Sequence, residues 1–538
     1  MCEKLRALGE AKTPEATKKL EAQLEKSFPM YPLPKVRPIV LETLKQLTII
    51  PQRILDKIVE DKQFYSECAI NVQQQIWLMY EELFLEAVGP VVENYLASKA
   101  KIINVIEVLQ NNFFTCDTVK NRRQHPQIKD LLSIIGDRPE LFEKFIAFLQ
   151  RKFVETENRH YCSLRVEYSM AARDQNIEPI VKADLAQDLA CCMDACLREK
   201  HMDAQQTNRL KSILDGKKKA APKVIAELAM IAADSHILHF IGTIASKLLR
   251  DMAAQLTHLP RDHGSLQYLL RILQLGLNAK EIITGEQSMP SVDSELTHQF
   301  LPLFVGLICE DVYRLDASKM SGSEWFTVGR GKKAKAESKE EILAKLTSPV
   351  TDQVRDFVAT HKIASFLWMH YCWSLFPTKN RTQLDMVALL RYVDLFSQLC
   401  DKMTYRDPWV HLIVHRLLVS SNLDTIIGDD SFIKAFFENY LLHEIENEPC
   451  VKYQVLRLCH LLHQHMGEDL TKAIMAQLTP SHLFPNITPS VAADFEQYDC
   501  DFKKVFAKIM PQPVVEGPPA LQELVPNPVP QMAQMPQA

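Results

Sequence analysis

Three groups of side chains have the types and spacings that chemistry requires. Cys459, His460, His463 and His465 lie together in RLCHLLHQH. His460 and His463 are three residues apart and could share one helix face, a geometry open to a metal ion. No CxxC, HExxH or second cluster at recognisable spacing accompanies them. A half-exposed helix end with hydrogen-bonded imidazoles is therefore the expectation, and no metal or other cofactor is expected. Cys191, Cys192 and Cys196 lie in DLACCMDACLRE. Cys192 and Cys196 are four apart and share a face, but Cys191 points elsewhere, and zinc wants four convergent ligands. Core packing is the expected role of these thiols. His160 and Cys162 would suit a cysteine hydrolase, except that residues i and i+2 diverge on a helix and no glycine-rich elbow accompanies them. Gly329, Arg330 and Gly331 lack the context of a phosphate loop. Neither enzymatic activity nor a small-molecule substrate is expected.

The remaining polar chemistry is local positive charge. Arg122 and Arg123 lie in KNRRQ, Lys217, Lys218 and Lys219 in DGKKKAAP, and Arg330, Lys332, Lys333 and Lys335 in GRGKKAKA. Each patch follows or interrupts a helical pattern, so each can project from an edge of the molecule. Clustered Lys and Arg attract phosphates by counterion release without reading sequence. These nine residues are the candidates for RNA contact, against the plainer reading of solvated loops or, for the third patch, a nuclear-import signal. Trp368, Tyr371 and Trp373, in an apolar segment from Phe366 to Phe376, are candidate anchors for a partner protein. Intra-repeat core is the plainer reading of each.

These side chains must be positioned by helices. Only 15 glycines occur in 538 residues, well under half the usual ~7%, and tight hairpins depend on glycine. Hydrophobic residues make up 47% and charged residues 24% of the chain, which suits a folded globular protein. The net charge of −5, from 62 basic and 67 acidic residues, excludes a general polycation. The 13 scattered cysteines suit a reducing compartment. No apolar leader and no run long enough for a membrane span is evident, so cytosol or nucleus is expected and no membrane partner.

Helical spacing recurs along most of the chain. Leu141, Phe142, Phe145, Ile146, Phe148, Leu149 and Phe153 fill one broad face, Leu266, Leu269, Leu270, Leu273 and Leu277 another, and Ile102, Val105, Ile106 and Leu109 a narrower stripe. Similar units occur at 366–376, 386–399, 411–419, 432–445 and 451–462. Sustained alternation is rare, so little or no sheet is expected. The fold class is all-α: a HEAT-like helical-repeat superhelix, or α-solenoid, with irregular repeats, an irregular helical bundle being the alternative. The expected organisation is a flexible or short helical segment (1–24), a first repeat region (25–315), a flexible basic loop (316–340), a second repeat region (341–510) and a disordered tail (511–538). The tail holds eight prolines in 28 residues and cannot form a helical core. PMYPLPKVRP (29–38) is expected to form an extended bend.

Ordered blocks of residues carry a resemblance. HYCSLR (160–165), CMDACLRE (192–199), LKSILDGKKK (210–219), LPRD (259–262), LLRILQLGLNAKEII (269–283), ELTHQFLPLF (295–304) and VLRLCHLLH (455–463) come in the same order as in the negative elongation factor B family. KKLEAQLEKSF (18–28), QIW (75–77) and RRQ (122–124) fit upstream. The resemblance runs from about residue 18 to 465. Family members usually carry more helix ahead of this point, and residues 466–510 match poorly. The resemblance implies a nuclear, non-catalytic HEAT-like scaffold of the negative elongation factor complex. It implies partnership with the C or D subunit, with the E subunit at the C-terminal half, with RNA polymerase II held paused near promoters, and with nascent RNA. A generic HEAT-type adaptor for trafficking or transport needs only the helical pattern and is the alternative.

Overall fold

The computed structural model describes residues 14–102, 122–254, 264–289, 360–374 and 467–479, with shorter stretches between 296 and 507. Over these residues the chain is an all-α helical-repeat solenoid, and no strand occurs among them. The basic loop and the proline-rich tail lie outside the described residues.

The first helices are α1 (Pro14–Ser27), α2 (Arg37–Gln46), α3 (Gln52–Glu60), α4 (Lys62–Glu67) and α5 (Ile70–Met79). Their apolar faces close one core, which includes Leu20, Leu24, Phe28, Val40, Leu44, Ile58, Phe64 and Ile76. Helix α1 thus crosses position 25 and shares a core with α2 to α5. The proline-rich stretch is not extended. Overlapping turns from Phe28 to Arg37 carry bonds such as Tyr31 N to Phe28 O and Arg37 N to Leu33 O, because the φ that proline fixes also suits tight turns. The Tyr31 hydroxyl donates to Asp61 at 3.0 Å and ties the stretch to α4.

A second, larger core starts at Trp77. It is built from α6 (Glu81–Ile102), α7 (Pro126–Ile135), α8 (Pro139–Thr156), α9 (His160–Asp174), α10 (Glu178–Ala183), α11 (Gln187–Glu199), α12 (Ala204–Gly216), α13 (Pro222–Ala232), α14 (Ser235–Ala254), α15 (Gly264–Leu277), α16 (Ala279–Ile283), α17 (Lys362–Ser374) and α18 (Glu468–Gln477). All seven apolar residues expected on the broad face of α8 are buried, as are Leu266, Leu269, Leu270 and Leu273 of α15. Proline at the first turn starts α7, α8 and α13, where its missing N–H costs no helix bond. Helices α13 and α14 meet at a bend of 75°.

Side-chain amides and ammoniums join the two cores. Gln74 of α5 donates to the Ser133 and Ile134 carbonyls at 3.2 and 3.0 Å. Lys144 of α8 donates to the Trp77 and Leu78 carbonyls at 3.1 and 2.9 Å. Both satisfy carbonyls that helix ends leave open. Gly136 ends α7 at φ +62, where a Cβ would also press on the Gln74 amide.

Candidate macromolecular interface

The stretch with the most unusual side chains forms α9, which is buried almost throughout. Every residue of α9 from Tyr161 to Ala172 is buried, because α6, α7, α8, α10, α11, α13 and α14 surround it. Charged residues on such a helix must be paired. Arg165, fully buried, donates to Asp184 at 2.6 and 3.1 Å and to Glu227 at 3.0 Å. Burial disfavours the charged form of both carboxyls. Asp184, with two guanidinium bonds, the Ser169 hydroxyl and the Ala186 N–H, is nevertheless held below the usual range. Glu227 receives a single bond from Arg165, so burial prevails and pushes its carboxyl up.

The second network corrects an expectation. Arg122 does not project from an edge. It is buried and donates to Glu167 of α9 at 2.8 Å and to Asp234 at 2.9 Å. Asp234 also accepts from Ser163 at 2.5 Å and caps α14 through the Ile237 N–H. Burial opposes the Asp234 charge, but Arg122, His236 and Ser163 outweigh it and hold the carboxyl far below the usual carboxylate range. Arg123 is half-buried and pairs with Asp174 at 2.9 Å and with Asp194. Arg122 is therefore inaccessible to phosphate, and Arg123 is already neutralised. Arg159 extends the pattern by donating to the Ala233 and Gly276 carbonyls at 3.2 and 3.1 Å.

The cysteines line the core. Cys162 is fully buried, and burial pushes its thiol well above the ordinary value, so it is no activated nucleophile. Cys191, Cys192 and Cys196 are buried in α11, and Cys196 is raised by its hydrogen bond to Cys192 and by burial. Burial pushes the Cys459 thiol up to about 12. His460, His463 and His465 lie outside the described residues.

The aromatic segment is also core on the side that can be described. Trp368 and Tyr371 of α17 are buried, with ring centroids 5.9 Å apart. Packing of α17 on α14 and α15 takes them out of reach of a partner, which corrects their candidacy as anchors. Helix α17 can approach closely because Gly242 of α14 faces Phe366 and His370, where a Cβ would come within 2.6 Å of both rings.

The lysine turn is different. Lys217, Lys218 and Lys219 form the tight link from α12 to α13, with Lys218 and Lys219 exposed and Lys217 half-buried. Lys218 pairs with Asp215 at 3.0 Å. Asp215 also accepts from Tyr268 and Arg271 of α15 at 3.0 and 3.1 Å. Lys218, followed by Tyr268 and Arg271, holds the Asp215 carboxyl below its usual range. Lys211 lies 5.9 Å from the Tyr268 ring centroid. Sequence reading missed Tyr268 and Arg271, since only the packing of α12 on α15 brings them beside the turn. The result is a fixed basic edge with one half-exposed aromatic ring. Arg330, Lys332, Lys333, Lys335 and the side chain of Trp373 lie outside the described residues.

The sequence profile of the family described as Cofactor of BRCA1 (COBRA1) matches residues 34–394. The chain belongs to the COBRA1 family. It is similar to negative elongation factor B of Mus musculus, 28% identical over 474 residues, covering 88% of this chain and 77% of the relative. It is 27% identical to negative elongation factor B of Drosophila melanogaster over 515 residues, covering 95% and 82% respectively. The protein of that name from Homo sapiens is 28% identical over 474 residues. The COBRA1 match contains both buried ion networks and the lysine turn.

Proposed function

We propose that this chain is a nuclear, non-catalytic scaffold subunit of a negative elongation factor complex, which binds RNA polymerase II and promotes promoter-proximal pausing. The observation that carries the reading is the likeness to negative elongation factor B proteins along 88–95% of the chain. The architecture supports it. A solenoid offers long helix-lined surfaces to partner helices, and the charged chemistry on α9 is engaged in holding helices together. The C or D subunit and the E subunit are its proposed partners, the latter at the C-terminal half. Nascent RNA contact is assigned to the α12–α13 turn through Lys217, Lys218 and Lys219, and to Arg330, Lys332, Lys333 and Lys335. Co-expression with the C and E subunits tests the reading. The expected result is one complex that survives size-exclusion chromatography in moderate salt. Separate elution of this chain would contradict it.

A further inference from the structure

The geometry points to a base-stacking site at Tyr268: one base of a single-stranded RNA lies on its ring while the surrounding lysines neutralise the adjoining phosphates. This site rests on the RNA contact proposed for the α12–α13 turn, and adds the group that tells a base from any other part of a polyanion. Basic residues dominate this edge. Arg209 and Lys211 of α12, Lys217, Lys218 and Lys219 of the turn and Arg271 of α15 stand against a single acid in these three segments, Asp215. Asp215 is already taken up by Lys218, Tyr268 and Arg271. Lys211, Lys217 and Lys219 have no carboxylate partner among the described residues.

Charge alone would suit any polyanion, and the ring selects a nucleic acid. The Tyr268 hydroxyl donates to Asp215 at 3.0 Å, so the half-buried ring is oriented before a ligand arrives. Arg271 lies 5.8 Å from the ring centroid and is held by Asp215 and the Leu214 carbonyl. Lys211 lies 5.9 Å from the same centroid, but it is exposed, and no hydrogen bond holds it among the described residues. It is one turn from Asp215 on the same face of α12, and free to swing to a phosphate and leave its side of the ring to a base. A flat ring beside clustered cations is the arrangement on which single-stranded nucleic acids stack. Bases inside a duplex are closed to such a ring, so the site favours single strands.

Fluorescence anisotropy of the full-length chain with a labelled single-stranded RNA of about ten nucleotides, and with the same strand carrying abasic riboses, tests the site. The wild type is expected to bind the base-bearing strand tighter than the abasic one by about fivefold or more. Tyr268→Leu should lose that preference while matching the wild type on the abasic strand, and Tyr268→Phe, which keeps the ring, should retain it. An iodouracil base in the RNA should crosslink on irradiation to the segment containing Tyr268. Equal binding of the two strands by the wild type would overturn the stacking site and leave the phosphate contact of the turn standing. A preference that survives in Tyr268→Leu, an equal loss on both strands in that variant, or a crosslink elsewhere would also overturn it. No binding of either strand would remove the RNA contact of the turn as well.

Discussion

Asp234 sits where three parts of the chain meet. Arg122, Ser163 and the α14 N-terminus all converge on its carboxylate. Removing one partner of a buried pair leaves the other charge uncompensated, at a cost of about 3–5 kcal/mol. Asp234→Asn is therefore expected to unfold earlier in urea at pH 7 by about that amount. The pH dependence has a definite sign. The folded carboxyl titrates below its unfolded counterpart, so its stabilisation is complete above the unfolded value of about 3.9 and fades as pH falls through the lower folded value. The gap between wild type and variant should narrow from pH 4 to pH 3. A gap that stays constant or widens there would show that the carboxylate charge is not the stabilising feature. None of this was legible in the sequence. KNRRQ reads as a polar surface, because the partners of Arg122 lie 45 and 112 positions away, and local pattern carries no information about such distances.

At the scale of the element, apolar spacing was informative wherever a helix has one wet face. The leucines and phenylalanines of α8 and α15 announce both the helix and its buried side. Helix α9 defeats that logic. It is buried all round, so its Ser, Arg and Glu residues look in sequence like an exposed or catalytic face, and only their partners reveal a structural role. Helix α17 left two readings open, since an aromatic-rich helix can be an interface or, more plainly, a core. Its close packing on α14 across Gly242 decides for core. Trp368→Ala should accordingly cost about 3–5 kcal/mol in urea unfolding, as large-to-small core changes do. An unchanged unfolding midpoint would restore Trp368 as a surface residue. The 29–38 stretch shows a further limit: proline counts indicate a break in helix, but not whether the break is extended or a chain of tight turns.

For the whole molecule, the solenoid class followed from the scarcity of glycine and the recurrence of helical spacing, whereas the two cores meeting at Ile76 and Trp77 had no signal in composition. The basic edge at the α12–α13 turn was only half legible: three lysines in a row can be read directly, but Tyr268 and Arg271 join them only through packing. Replacing Lys217, Lys218 and Lys219 by Glu should lower affinity for single-stranded RNA and flatten its salt dependence by about 0.7 in log–log slope for each phosphate no longer neutralised. A slope equal to that of the wild type would remove the turn from the RNA path. The scaffold role itself is tested most directly by affinity purification of the endogenous chain from nuclear extract, with identification of the proteins that remain bound. The expected result is recovery of the other negative elongation factor subunits together with RNA polymerase II. Recovery of cargo or coat proteins in their place would contradict it and favour a transport adaptor.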